Sequence, residues 1–163
     1  MKLSIHTMLA AVLAAQSITP FVAQAGNVEI DSRVQTALVR EGVGFRHSDH
    51  VDFLAEIGID DGRTQLVVVD SETKKEGEYE YREIWSVAYK GEPLTERRLE
   101  ELLVGNGNVK VGGWRILVED QWVVVFSVRI AADADGSKIK SAISICAVMA
   151  DRKEKEWSGS DRH

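Results

Sequence analysis

Residues 109–131 read VKVGGWRILVEDQWVVVFSVRIA, and this stretch decides the fold. Trp122, Val124, Phe126, Val128 and Ile130 recur in strict period two, the mark of a β-strand. Val109 to Val118 reads as the strand before it and Glu119-Asp120 as a tight turn, so Gln121 to Ala131 is its hairpin partner. Downstream, Asp135-Gly136-Ser137 opens a long helix. Ile139, Ala142, Ile143, Cys146, Met149, Ala150 and finally Trp157 mark one face of it at helical spacing.

Upstream the same two periods take turns. Asp31 and Ser32 are N-cap candidates for a first helix, with Val34, Ala37 and Leu38 on its buried side and Gly42 at its end. Val51, Phe53, Ala55 and Ile57 alternate with polar neighbours as a half-buried strand. Asp60-Asp61-Gly62 turns it into a second strand, Thr64 to Val69, apolar on both faces toward its end. Ser71 to Glu80 (SETKKEGEYE) reads as a solvated loop. A third strand follows, with Tyr81, Trp85, Val87 and Tyr89 on one face and Ile84 and Ala88 on the other, stopped by Gly91-Glu92-Pro93. Thr95 caps a second helix with Leu99, Leu102 and Leu103 as its buried stripe, and Gly105-Asn106-Gly107 is expected to end it. The order is α, three β, α, two β, α. Antiparallel hairpins separated by helices imply an α+β fold with helices packed on one face of a sheet. No internal repeat stands out.

The first 25 residues carry an address. Lys2 supplies a positive n-region, Leu9 to Ala15 a short apolar core, and Ala23-Gln24-Ala25 the small-x-small pattern of a cleavage site. The apolar run falls short of the about 20 residues that a membrane span needs, so no stable membrane insertion is expected. The reading is a cleaved signal peptide over residues 1–25 and an exported mature chain from Gly26, periplasmic or secreted. Residues 26–157 then form one domain, and 158–163 a flexible tail.

The chain carries 26 acidic and 20 basic residues, a net charge of −6. Removing the leader with its Lys2 makes the mature chain one unit more acidic. That balance argues against nucleic acid, which calls for a basic patch. The single cysteine, Cys146, cannot close an internal disulfide, and its apolar helical neighbours make it a buried hydrophobe.

Motifs for chemistry are weak. His47-Ser48-Asp49-His50 is the one cluster with metal-ligand chemistry, but a zinc site needs three or four ligands in fixed geometry, and a turn explains the residues better. Asp133-Ala134-Asp135-Gly136 lacks the further ligands of a calcium loop, and Asp135 or Ser137 as helix N-cap explains the residues more simply. Gly105-Asn106-Gly107 follows a helix instead of preceding one, so it makes no phosphate cradle. There is no G-x-S-x-G elbow. No catalytic, cofactor or metal residue is assigned.

The tryptophans say more. Trp85, Trp114 and Trp122 fall on predicted strands and Trp157 on the last helix. In the 109–131 hairpin, Trp114, Ile116 and Val118 take one parity while Val109, Val111 and Leu117 take the other. A sheet covered on one side needs apolar residues on one face only. Apolar residues on both suggest that the second face is covered by a homodimer partner or another polypeptide, the alternative being twist and irregular burial within a monomer. Trp85, Trp114 and Trp122 are the candidate partner-binding residues.

The segment Leu102-Leu103-Val104-Gly105-Asn106-Gly107-Asn108-Val109-Lys110-Val111-Gly112-Gly113-Trp114, followed by a strand, a short turn, a second strand and a helix with Ala150-Asp151, resembles the YbjN-type family. That family is described as bacterial sensory transduction regulators, with a fold like that of type III secretion chaperones. The resemblance spans Asp31 to Trp157 by element order and is residue-level over Leu102 to Asp151. It implies an α+β sandwich that often dimerises and holds proteins or peptides, with no catalytic residues to carry over. Secretion chaperones of this fold work in the cytosol, whereas this chain reads as exported. The expected function is therefore a non-enzymatic, exported polypeptide-binding protein. An immunity or inhibitor protein neutralising a basic toxin or hydrolase is the alternative, marked by an acidic face opposite the helices. A hydrolase or metal-binding enzyme is the third reading and requires His47 and His50 to meet buried carboxylates.

Overall fold

Where the alternation of apolar residues is strict, the backbone follows it. Tyr79–Gly91 (β5) and Trp122–Ala131 (β7) are the two long strands and lie side by side, antiparallel, at the centre of the sheet. The computed structural model describes residues 30–50 and 52–158. The leader read at 1–25 and residues 159–163 of the predicted tail lie outside the described residues. The other α-helices and strands described are α1 (Ser32–Arg40), β1 (Arg46–His47), β2 (Phe53–Gly58), β3 (Thr64–Val69), β4 (Lys74–Glu76), α2 (Glu96–Asn108), β6 (Gly113–Val118) and α3 (Gly136–Ser158), with a 3-10 turn at Asp60–Gly62 between β2 and β3. The sheet is seven-stranded and antiparallel, in the order β1-β2-β3-β5-β7-β6, with β4 paired to the start of β5. This is the α+β architecture expected. No described helix is long and apolar enough to cross a membrane.

Register settles which side chains share a face. Val69, Ile84 and Val128 lie directly opposite one another across β3, β5 and β7, as do Val67, Ser86, Phe126 and Trp114 across β3, β5, β7 and β6. All three helices contribute to the one core over this face: Val34 and Leu38 from α1, Leu102 from α2, and Ile139, Ala142, Ile143, Cys146, Ala147 and Ala150 from α3. The caps are the expected ones. Asp31 accepts the Arg33 N–H at 2.9 Å, Thr95 the Arg98 N–H at 3.5 Å and Asp135 the Lys138 N–H at 2.9 Å.

Two buried ion pairs fasten helices to the sheet. Arg82, on the helix side of β5, reaches the Asp31 carboxylate at the start of α1 and the carbonyls of Asp70 and Ser71. Burial pushes the Asp31 carboxyl up, but the hydrogen bonds from Arg33 and Arg82 outweigh it and hold the group at about 2. Arg63, beside the β2–β3 turn, donates to Asp151 at 2.5 Å and to Glu154 at 3.4 Å. That clamp is why two carboxylates sit on the buried face of α3.

Several expectations need correction. Ser71 to Glu80 is not a loop: β4 pairs with the start of β5, and Gly77, at φ +61°, makes the turn between them. All β4 side chains face solvent, so no apolar period announced the strand. Arg46–His47 forms a further short strand on β2, which itself begins at Phe53. Gly105-Asn106-Gly107 does not end α2, which runs to Asn108. Asn106 explains this: its side-chain oxygen accepts the Trp114 N–H at 2.6 Å and its amide donates to the Trp114 carbonyl at 3.1 Å. The side chain stands in for a neighbouring strand on edge strand β6 and holds the last helical turn in place. Leu103 is 75% exposed, so the buried stripe of α2 is Leu102 with half-buried Leu99. β6 starts at Gly113, not Val109. Ser158, assigned to the tail, closes α3.

Gly112 has φ +82°, and a Cβ there would lie 2.4 Å from the Ser127 carbonyl and 2.9 Å from Phe126 and Val128. Gly112→Ala is expected to cost about 2–4 kcal/mol in urea unfolding, combining strain with overpacking. Gly107, with nothing within 4 Å of a Cβ, is the control. Gly107→Ala is expected to stabilise by about 0.5 kcal/mol.

The Cys146 thiol donates to the Ile84 carbonyl at 3.2 Å, and burial pushes its pKa up to about 12. Labelling with a thiol-disulfide reagent is expected to need denaturant, and a fast reaction in the native state would contradict the packing.

Candidate functional site

The helices cover one face of the sheet, and the other face belongs to the opposite parity of the same strands. Leu54, Val68 and Trp85 stand in one row across β2, β3 and β5, which continues through Ser127 and Gly113 on β7 and β6. The next row holds Val87, Val125 and Arg115, and further on Lys90, Val123 and Leu117 lie opposite one another. None of these apolar residues joins the core under the helices. Val68 and Val125 are nonetheless buried, and Leu54, Trp85, Val87, Val123 and Leu117 are half-buried. The result is an apolar surface along the middle strands that no helix crosses.

Charged groups border it. The Trp85 indole N–H donates to Asp70 at 2.9 Å. Burial raises the Asp70 carboxyl to about 6 against that hydrogen bond, with the charges of Asp52 and Glu83 adding to the rise. Glu83, 5% exposed, sits one position along β5 from the Arg82 clamp and on the other face. It pairs with Arg115, with Arg129 at 3.5 Å and with Lys74 at 3.9 Å. Burial pushes the Glu83 carboxyl up, and the Arg115 guanidinium with its cationic neighbours brings it below its ordinary value. Arg129 lies over the Tyr81 ring at 5.4 Å.

The tryptophans singled out from sequence do not share this surface. Trp85 lies on it. Trp114 is 8% exposed on the helix side, its ring edge-on to Phe126 at 5.0 Å and within 3.4 Å of where a Cβ on Gly105 would sit. Trp122 packs half-buried against the same core. Both are structural, because their parity in the β6–β7 hairpin matches Phe126 and Val124. Trp157, at the end of α3, meets Tyr89 edge to face at 5.9 Å and lies under the Arg98 guanidinium at 4.8 Å. The sheet face with Asp70, Glu83, Arg115 and Arg129 was missed in the sequence, although a signal existed: Glu83, Arg115 and Arg129 are charged residues inside apolar strands.

His47 and His50 do not converge. The His47 ring packs against Phe45 and Phe53 at 5.6 and 4.8 Å, while the His50 backbone N–H donates to Ser48 in the turn. Among the described residues no group of three or more His, Cys, Asp or Glu is placed to hold a metal. Asp135 is engaged as the α3 cap. No protein-family model matches the chain, and no curated protein matches it.

Asp70 makes stability pH-dependent in a definite direction. Its folded pKa, about 6, lies above the ordinary aspartate value, so the native state takes up this proton more readily than the unfolded chain. The stabilisation is full below about pH 4, is lost as pH rises through 6, and stays lost above. Asp70→Asn is therefore expected to match the parent near pH 4 and exceed it by about 2 kcal/mol at pH 7, read as the difference between urea midpoints. A difference independent of pH would contradict the burial of Asp70.

Proposed function

We propose that this chain is an exported, non-enzymatic polypeptide-binding domain of the YbjN type, holding an extended segment of another protein on the open face of its sheet. The observation that carries the reading is the apolar surface of Leu54, Val68, Trp85, Val87 and Val125, which none of the helices covers. Val68 and Val125 are themselves buried, so the part of this surface that a partner can reach is half-buried Leu54, Trp85 and Val87, and an accessible apolar patch is an ordinary sign of a partner site. Two further points support it. Apart from the short β1 and β4, the element order is the α, three β, α, two β, α of the family that the sequence resembles. The segment that carries the resemblance, Leu102 to Trp114, forms a structural corner in which Asn106 and Gly112 tie α2 to β6 and β7. Export rests on the leader pattern of residues 1–25 alone.

A chaperone-like role requires the open face to recognise exposed apolar chain. The immunity or inhibitor reading asks for an acidic face opposite the helices. Glu83, the buried carboxylate there, is balanced by Arg115 and Arg129, so that reading draws no support from this surface.

The mature chain from Gly26 is expected to suppress aggregation of reduced insulin at near-stoichiometric ratio. Val87→Lys, in the middle of the open face, is expected to raise the amount needed about tenfold, the loss of one buried aliphatic contact. Val39→Lys, on the exposed side of α1, is expected to leave it unchanged. Protection untouched by Val87→Lys would sink the proposal. So would a stable parent dimer, by light scattering, that Val87→Lys dissociates, because the face would then belong to a second copy.

A further inference from the structure

We infer that the polypeptide segment held on the open face carries a carboxylate, which docks between Arg115 and Arg129 at the β6–β7 end of that face. The inference rests on the polypeptide-binding reading above and names the chemistry of the partner.

A depression of about 380 Å³ opens at this end of the sheet, lined by Gly112, Gly113, Trp114, Arg115, Ser127 and Arg129. Two adjacent glycines leave one wall without side chains, and Gly112 is required there by its approach to β7. The depression lies on the same cross-strand row as Trp85, through the pairs Trp85–Ser127 and Gly113–Ser127. A segment seated on Trp85 therefore reaches it after two strand spacings, about 10 Å, or three to four extended residues.

Charge decides what it would accept. Lys74, Arg115 and Arg129 all turn toward the single carboxylate of Glu83. Two guanidinium groups present about ten N–H donors, and one carboxylate accepts about four hydrogen bonds. Solvent serves the surplus while the face is open, since the Arg115 side chain is 37% exposed and that of Arg129 is 55% exposed. A bound segment that removed this solvent without replacing the acceptors would leave charged donors unpaired, a large penalty. A carboxylate from the segment supplies those acceptors in the planar geometry that guanidinium favours. A cationic end on a protein of net charge −6 is also a local exception that steers an acidic segment into register with the apolar row.

The test uses acetylated, amidated eight-residue peptides of alternating valine and serine in which the third valine is replaced by glutamate, glutamine or lysine. Binding to the mature chain is followed by calorimetric titration at low salt. The glutamate peptide is expected to bind about tenfold more tightly than the glutamine peptide, and the lysine peptide more weakly than either. Arg129→Gln leaves the Arg115–Glu83 pair in place and is expected to reduce the glutamate preference to about threefold. Arg129→Glu is expected to reverse the order of the glutamate and lysine peptides, each read as a ratio to the glutamine peptide on the same variant. Equal affinity for all three peptides, or a preference that survives Arg129→Glu, overturns the carboxylate site while leaving the polypeptide-binding reading intact. If none of the three binds and Val87→Lys also leaves aggregation suppression untouched, the reading itself falls and the site with it.

Discussion

Close packing of α3 on the sheet is the constraint on which the rest of the structure depends. Ala142, Cys146, Ala147 and Ala150 line the buried side of the helix and are at most 3% exposed. Small side chains let a helix approach a sheet without leaving voids, and interior density tolerates few of those. With α3 seated on β3, β5 and β7, α1 and α2 have only the flanks of the same face left to cover. Among the described residues, three helices on one side of a seven-stranded sheet make two layers, and a two-layer fold leaves one sheet face without a helix over it.

The buried charges follow from that arrangement. Arg82 and Glu83 are neighbours in β5, so alternation sends one under the helices and the other to the open face. Arg82 finds Asp31 and two carbonyls and fastens the start of α1. Glu83 finds Arg115 and Arg129 from β6 and β7 and fastens three strands across their open side. A buried ion of either sign is tolerated only when paired, and each pairing joins elements far apart in the chain. The polar end of the open face is thus part of the framework, with donors to spare, while the apolar middle around Trp85 and Val87 adds little to the core beneath the helices.

Much of the fold was legible because its period was clean. The alternation from Trp122 to Ile130 announced β7, and the helical spacing from Ile139 to Ala150 announced α3. Caps at Asp31, Thr95 and Asp135 were readable because short polar side chains before an apolar run have few other uses. The failures share a cause. β4 carries only solvated side chains, so its strand exists through pairing with β5 and not through any pattern of its own. Gly105 and Gly107 carry a local preference for ending a helix, and Asn106 overrides it by bonding to Trp114, a contact eight residues away. Nothing in the local pattern of α3 marks Asp151 and Glu154 as buried, since their partner Arg63 comes from another part of the chain.

The sequence by itself determined the class of the fold, the number of major elements, and the fact that several strands are apolar on both faces, because all three are written in local periodicity and turn chemistry. It did not determine which face stays open. Trp85 and Trp114 look alike as tryptophans at strand positions, and only the register of β6, β7 and β5 puts one on the solvent side and the other against Phe126. Side-chain alternation has a period of two, so a shift of one residue in pairing would exchange their fates. That choice depends on which parity α3 and its small side chains bury, and it is made by contacts between residues that are distant in sequence.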